Sequence, residues 1–235
     1  MRASRLLLAC ALLAPAPGGA DTRITMRVVG NGASTAEPAI TETWFAPGRL
    51  RQDQGGFSVI VDLAERRVAI LDHARKSYTA LAIPVDLKAL LPPDLPDADR
   101  FLEQMSMQLT VTPSDERREV RGYPARKYAV TMSNQLGVKL SQELWLTREV
   151  GFDLAAYKAL AAVLARLQPL ADPSRLEALD GFPVLQTTSI AMGGATLEAT
   201  EELVAIENAP APAGCYAVPT DYVAARLDVL SVTRP

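Results

Sequence analysis

The chain has 235 residues, of which 49% are hydrophobic and 22% are charged, and its net charge at pH 7 is −3. This length and balance are typical of an ordinary folded chain and exclude an intrinsically disordered one. The mildly acidic balance argues against a nucleic-acid partner and against attraction to anionic lipid head groups.

The first 20 residues have the layout of a secretory signal peptide. Arg2 and Arg5 form a basic start, an apolar run follows over residues 6–14, and small residues end the segment at Ala20. The run is too short to span a bilayer. We therefore expect cleavage after Ala20, export to the periplasm, and a single domain over residues 21–235.

After this leader the sequence predicts a long antiparallel meander. Residues 22–29 read as its first strand, and residues 40–81 contain short alternating segments separated by turns such as Pro47-Gly48 and Gly55-Gly56. The alternation places several apolar side chains on one face: Phe57, Val59, Val61, Leu63, Val68, Ile70, Tyr78 and Ala80. The alternation does not decide which of Trp44 and Phe45 points inward.

The second half of the chain predicts helices inserted between further strands. Helical spacing indicates a helix over residues 97–107 and a longer, nearly uncharged one over 151–170 that includes Leu160 and Leu164. Strands are predicted over 109–112, 125–132, 138–147, 183–191 and 195–206, with the charged residues 114–119 as a connection. These elements predict an α+β fold, a strongly curved antiparallel sheet with helices covering its concave face.

Few residues suit catalysis or metal binding. His73 is the only histidine, and its place at a strand end predicts an exposed side chain. Cys215 has no partner in the mature chain, so we expect a small buried hydrophobe and no disulfide. Glu198, Glu201 and Glu202 are expected to be solvated. The sequence predicts no metal site and no cofactor, although a hydrolase that uses two carboxylates stays open.

The apolar faces allow two interpretations at this stage. They form either a concave, dry surface that binds lipid or acyl chains, or a filled core. For a binding surface, the predicted lining is Ile24, Met26, Leu50, Val59, Val61, Val68, Ile70 and Tyr78 from the sheet, with Leu160 and Leu164 from the covering helix. The alternative function is a cell-envelope interaction or regulatory module without a ligand cavity.

Four short segments resemble the LolA-like periplasmic carriers of lipoproteins and lipids. Residues 44–51 (WFAPGRLR) and 76–81 (KSYTAL) are similar to the first half of that superfamily, and residues 216–222 (YAVPTDY) are similar to its ending. Residues 122–128 (GYPARKY) resemble a motif of an uncharacterised exported branch.

This resemblance implies a half-barrel with helices as a lid over bound acyl chains. We expect a protein that binds an apolar ligand without enzymatic activity, acts as a monomer and has envelope proteins as candidate partners. The lipoprotein carriers have an arginine directly before the proline after the tryptophan strand, whereas Ala46 stands in that place here. This departure favours either a less specialised lipid or hydrophobe binder or a regulatory envelope protein on the same scaffold.

Overall fold

The computed structural model describes residues 21–30 and 38–226, so the predicted signal peptide lies outside the described residues. The strands are β1 (Asp21–Gly30), β2 (Ala39–Ala46), β3 (Arg49–Gln54), β4 (Phe57–Asp62), β5 (Arg67–Asp72), β6 (Ser77–Ala82), β7 (Gln108–Val120), β8 (Tyr123–Ser133), β9 (Lys139–Thr147), β10 (Phe182–Met192), β11 (Ala195–Ala209) and β12 (Val223–Ala224). The helices are α1 (Ala98–Met105) and α2 (Leu154–Ala165), with 3-10 helices at Leu87–Leu90 and Pro173–Ala178.

Within this part of the chain the strands form one 12-stranded, curved and unclosed sheet in the order β12-β6-β5-β4-β3-β2-β1-β11-β10-β9-β8-β7. Strands β1–β6 and β7–β11 are two meanders, and antiparallel pairing of β1 with β11 joins them. The tight turn between β10 and β11 contains Gly193 and Gly194, both with positive φ, as a two-residue hairpin requires. The predicted α+β half-barrel is confirmed.

Helix α2 covers the concave face over β2–β6. The Asp153 carboxylate accepts hydrogen bonds from the backbone N–H groups of Ala155 and Ala156, which fixes the start of the helix. The helix is therefore shorter than the predicted span of residues 151–170. Its side chains pack against one apolar cluster of the sheet, whose buried members are Phe45, Leu50, Val61, Val68, Leu81, Leu90, Leu160 and Val163.

A second covered cluster lies over β7–β9. Leu109, Tyr128, Val130, Leu144 and Leu146 are buried there beneath the segment that follows α2, including the 3-10 helix at Pro173–Ala178. The charged residues 114–119, predicted as a connection, belong instead to β7, with a register shift between Pro113 and Arg117. An edge strand tolerates such residues because one of its sides faces water.

The outer face of the sheet carries the C-terminal segment. Tyr216, Val218 and Tyr222 pack on Ile60, Ala69 and Leu71. Tyr78 belongs to this outer cluster, because it pairs with Leu71 in the β5–β6 register. The prediction that it shares a face with Val68 and Ile70 is therefore wrong: the turn into β6 shifts the alternation by one residue.

The register also assigns the adjacent aromatic residues of β2. Phe45 pairs with Leu50 and packs with α2, making edge contacts with Phe152 and Tyr157 at ring-centroid distances of 5.6 and 5.9 Å. Trp44 faces the other way, where the Arg23 guanidinium lies 5.8 Å from its ring centroid. Phe45 is thus the inward residue of the pair.

We expect Leu160→Ala to lower the free energy of unfolding by about 3 kcal/mol, because its fully buried side chain would leave a cavity beneath α2. Leu136→Ala is the matched control, since that leucine is 54% exposed in the β8–β9 turn and its loss should cost less than about 0.5 kcal/mol. Chemical denaturation of both variants measures the difference. Equal effects would contradict the packing of α2 on the sheet.

Candidate ligand-binding face

The concave face continues beyond the part that α2 covers. Strand pairing places Met26 opposite Leu203 and Val28 opposite Glu201, and it then places Glu201 opposite Gln186 on β10. We name this part the open section and define it by eight residues on β1, β9, β10 and β11: Met26, Val28, Gln142, Gln186, Thr188, Ile190, Leu197 and Glu201. Its apolar members are partly exposed, and Leu197 keeps 48% of its surface accessible.

Three polar side chains of the open section are bonded to one another. The side-chain amides of Gln142 and Gln186 each donate to the Thr188 hydroxyl oxygen at 3.2 Å. Both amide nitrogens are therefore turned towards Thr188. Within the described residues, the two glutamine carbonyl oxygens have no hydrogen-bond donor, so they are acceptors with spare capacity.

Glu201 differs from the other acidic residues of β11. Glu202, on the outer face, is paired with Arg27 and Arg121 at 2.6 and 2.9 Å, and these partners lower the pKa of its carboxyl. Glu201 is half-buried and, in the described part of the chain, has neither a hydrogen bond nor an ion pair. Burial raises its pKa, so the prediction of a solvated side chain is wrong.

Tyr157 of α2 borders the same region. Burial and, secondarily, the charge of Glu201 raise the pKa of its hydroxyl to about 12. Its ring lies 5.2 Å from the Phe182 ring and 5.6 Å from the Phe152 ring, centroid to centroid. Phe152 and Tyr157 pack against both the cluster beneath α2 and the adjacent cluster that contains Met26, so these aromatic residues connect the two.

The structure divides the predicted lining residues among three places. Leu50, Val59, Val61, Val68, Ile70, Leu160 and Leu164 lie together beneath or on α2. Val61 and Leu160 have no accessible surface at all, which means that the helix packs directly on the sheet there. Ile24 and Met26 lie in the adjacent cluster, and Met26 reaches the open section, whereas Tyr78 is on the outer face.

The glutamine, threonine and glutamate residues of the open section are absent from the predicted lining. A period-two alternation would have found them, since residues 186, 188 and 190 share one face, as do residues 197, 199 and 201. The predicted lining contains mainly apolar residues, and the polar residues on the same face of β9, β10 and β11 are not part of it.

A hydrogen-bonded cluster lies on the outer face around His73. His73 Nε2 lies 2.6 Å from the Ser58 hydroxyl oxygen, and His73 Nδ1 lies 2.7 Å from the Tyr222 hydroxyl oxygen. Because Ser58 donates its proton to Asp53, Nε2 must be the donor to Ser58, and Nδ1 then accepts from Tyr222. Arg51 donates to the Asp53 carboxylate and to the backbone carbonyl of Cys215. His73 is half-buried and fully bonded, so the prediction of an exposed histidine is wrong.

This arrangement holds the C-terminal segment and is unsuited to nucleophilic catalysis. Ser58 is 1% exposed, and its proton is directed to Asp53 instead of the imidazole. The carboxylate stands next to the serine instead of orienting the histidine, the reverse of a serine triad. Cys215, in the same segment, is buried as predicted, and burial raises the pKa of its thiol.

A separate cleft of about 410 Å³ lies over β7, β8 and the end of β9. Four arginines and three carboxylates line it, and the Arg148–Asp180 ion pair is part of its wall.

Among the described residues, no group of three or more histidine, cysteine or acidic side chains is arranged to hold a metal ion. No helix in residues 21–30 and 38–226 is both long and apolar enough to cross a membrane.

A curved open sheet with helices on its concave face is the half-barrel that the resemblance to LolA-like carriers implied, and this expectation is confirmed. The chain belongs to the family described as Domain of unknown function (DUF4412), whose model matches residues 55–222. No curated protein matches the sequence.

Several solved structures are similar to this chain at low sequence identity. PNGF-II has 11% identity and a TM-score of 0.44 over 90% of this chain and 32% of its own, so this chain spans about a third of that length. MucB has 16% identity and a TM-score of 0.34, covering 86% and 58% of the two chains. A putative outer membrane lipoprotein-sorting protein domain from Vibrio parahaemolyticus has 9% identity and a TM-score of 0.27, covering 80% and 85%.

We expect Tyr222→Phe to lower the free energy of unfolding by about 1 kcal/mol and to expose the C-terminal segment to proteases, because His73 loses its donor. Tyr216→Phe is the matched control in the same segment. Its hydroxyl is buried without a partner, so its removal should be neutral or stabilising. Denaturation and limited proteolysis measure both effects, and identical behaviour of the two variants would refute the tethering role.

The unpaired carboxylate predicts a pH-dependent stability. Because the pKa of Glu201 is raised in the folded state, the folded protein retains its proton at pH values where the unfolded chain has lost it, and stability falls as pH rises through that interval. We therefore expect Glu201→Gln to melt at a higher temperature than the parent at pH 7, with the difference vanishing below the ordinary glutamate pKa. Glu207→Gln, at an exposed position of the same strand, should show no such gain.

Proposed function

We propose that this protein is an exported, periplasmic binding protein that holds an apolar or amphiphilic ligand, such as a lipid or acyl chain, on the concave face of its half-barrel. It binds the ligand without transforming it and acts as a monomer in one domain over residues 21–235. The basic start and short apolar run of residues 1–20 support export.

One observation carries this proposal: the concave face is covered by α2 over β2–β6 and by the segment after α2 over β7–β9, whereas apolar residues of the open section between them keep exposed surface. Leu50, Val61 and Val68 are buried beneath α2, while Ile190 and Leu197 are partly exposed. Partly exposed apolar side chains on the inside of a curved sheet favour a binding surface, because a structural core would leave them covered.

Helix α2 acts as the lid in this proposal. Apart from Tyr157 and Lys158 the helix consists of alanine, leucine and valine. Either the sheet or the hydrocarbon chain of a ligand can therefore cover its apolar side chains. The predicted lining beneath it becomes available only when the helix moves outward, because Val61 and Leu160 now have no accessible surface. The ligand first contacts Met26 and the open section and extends towards that lining when the lid is displaced.

Solvent extraction and native mass spectrometry of protein purified from the periplasm test the proposal directly. We expect a co-purifying lipid or uptake of a fluorescent fatty acid. A clean mass for the free protein together with no uptake would instead favour the interaction or regulatory module.

Adjacent valines of β1 provide a matched pair of variants. We expect Val28→Trp to weaken uptake about tenfold, a loss of roughly 1.4 kcal/mol, because the indole would fill the open section. Val29→Trp should leave uptake unchanged, since Val29 lies on the other face of the strand and is 51% exposed. Titration of an uncharged fluorescent fatty alcohol into both folded variants measures the contrast, and equal affinities would place any ligand elsewhere.

A further inference from the structure

Three side-chain acceptors of the open section have no donor partner among the described residues. Gln142 and Gln186 direct their amide nitrogens to Thr188, which leaves both carbonyl oxygens free in the described part of the chain. Glu201 is directly opposite Gln186 in the β10–β11 register, and Thr188, to which both glutamines are bonded, lies two residues further along β10. Three side chains therefore offer hydrogen-bond acceptors on one patch of the sheet.

No positive charge of the described chain compensates this patch. Arg27 and Arg121 are bound to Glu202 on the outer face, and Lys158 of α2 lies 3.6 Å from Asp180. A half-buried carboxylate without hydrogen bonds or a counter-ion is costly for the free protein. A ligand that supplies both donors and positive charge would recover that cost on binding.

Apolar residues flank the patch along the strands. Val28 is directly opposite Glu201 on β1, while Leu197 lies four residues from it on β11, a distance of about 13 Å. Ile190 is paired with Leu197 across the hairpin. The polar patch and the apolar strip therefore form a surface with a charged site at one end and room for a hydrocarbon chain along the sheet.

We propose that the open section binds an amphiphile whose head group is a protonated amine, with the ammonium at Glu201 and its chain along Val28, Ile190 and Leu197. Glu201 and the two glutamine carbonyl oxygens accept the three ammonium hydrogens, a coordination that a carboxylate or sulfate head cannot reproduce. This inference rests on the proposed function and specifies the class of its ligand.

Calorimetric titration with four compounds below their micellar concentrations tests the proposal at pH 7.5. Dodecylammonium, dodecanol and dodecanoate share one chain and differ in the head, and spermidine supplies amines without the chain. We expect dodecylammonium to bind about 10- to 100-fold more tightly than dodecanol, because a hydrogen bond to a charged group contributes a gain in affinity of about that size. Dodecanoate and spermidine should bind more weakly than both.

The Glu201→Gln variant should lose the preference for the amine and keep its affinity for dodecanol. Glu207→Gln removes the same charge from an exposed position of the same strand, and it should leave every affinity as in the parent. This control distinguishes a local effect of the Glu201 carboxylate from an effect of the overall net charge of −3. Gln186→Leu should reduce the preference several-fold, because one of the three acceptors is removed. Thermal melts establish that each variant is folded.

The outcomes separate this inference from the function on which it rests. Binding of dodecanol with no preference for the amine, or equal loss in Glu201→Gln and Glu207→Gln, overturns the amine assignment and leaves the apolar binding function standing. Tight binding of spermidine overturns the role of the chain. If none of the compounds binds, both proposals fail.

Discussion

The organisation of this protein follows from a mismatch between the width of its sheet and the length of its helices. Twelve strands at a spacing of about 4.8 Å extend over roughly 50 Å. The 12 residues of α2 rise only about 18 Å. Helix α1 has no buried residue, so α2 and the two short 3-10 helices provide the cover, and they cannot shield the entire concave face from water. The apolar residues over β1 and β11 remain partly exposed for this reason, and curvature places them inside a concavity.

The two polar clusters of the sheet illustrate different uses of the same chemistry. Around His73 both ring nitrogens are hydrogen-bonded, and the cluster ties the C-terminal segment to the outer face. On the concave face, the Glu201 carboxylate and the free glutamine carbonyl oxygens have no donor in the described chain. A satisfied network specifies structure, whereas a set of unpaired acceptors on an accessible face suits a ligand that brings donors.

Much of the fold could be predicted from the sequence because strand alternation and turn residues are local signals. The meander over residues 40–81, the closing hairpin at Gly193-Gly194 and the helix carrying Leu160 all follow from such signals. Tyr78 was misplaced because a one-residue change of register in a turn reverses every later side chain. The open section could not be predicted for a different reason. Gln142 joins the hairpin that carries Gln186 and Glu201 only through pairing of β9 with β10, which are distant in the chain, and polar residues such as these are expected to face solvent.

The pairing of β1 with β11 also governs the order in which the chain can assemble. Asp21 is opposite Ala209, so nearly the whole chain must be present before the two meanders can unite. Local hairpins within each meander form over short loops, while closure over so long a loop is slow. While the chain folds from its N-terminus, one edge of β1 pairs with β2 and the other edge stays unpaired until β11 is available. Another extended chain could pair with this open edge of β1, and the edge is closed only when β11 pairs with it.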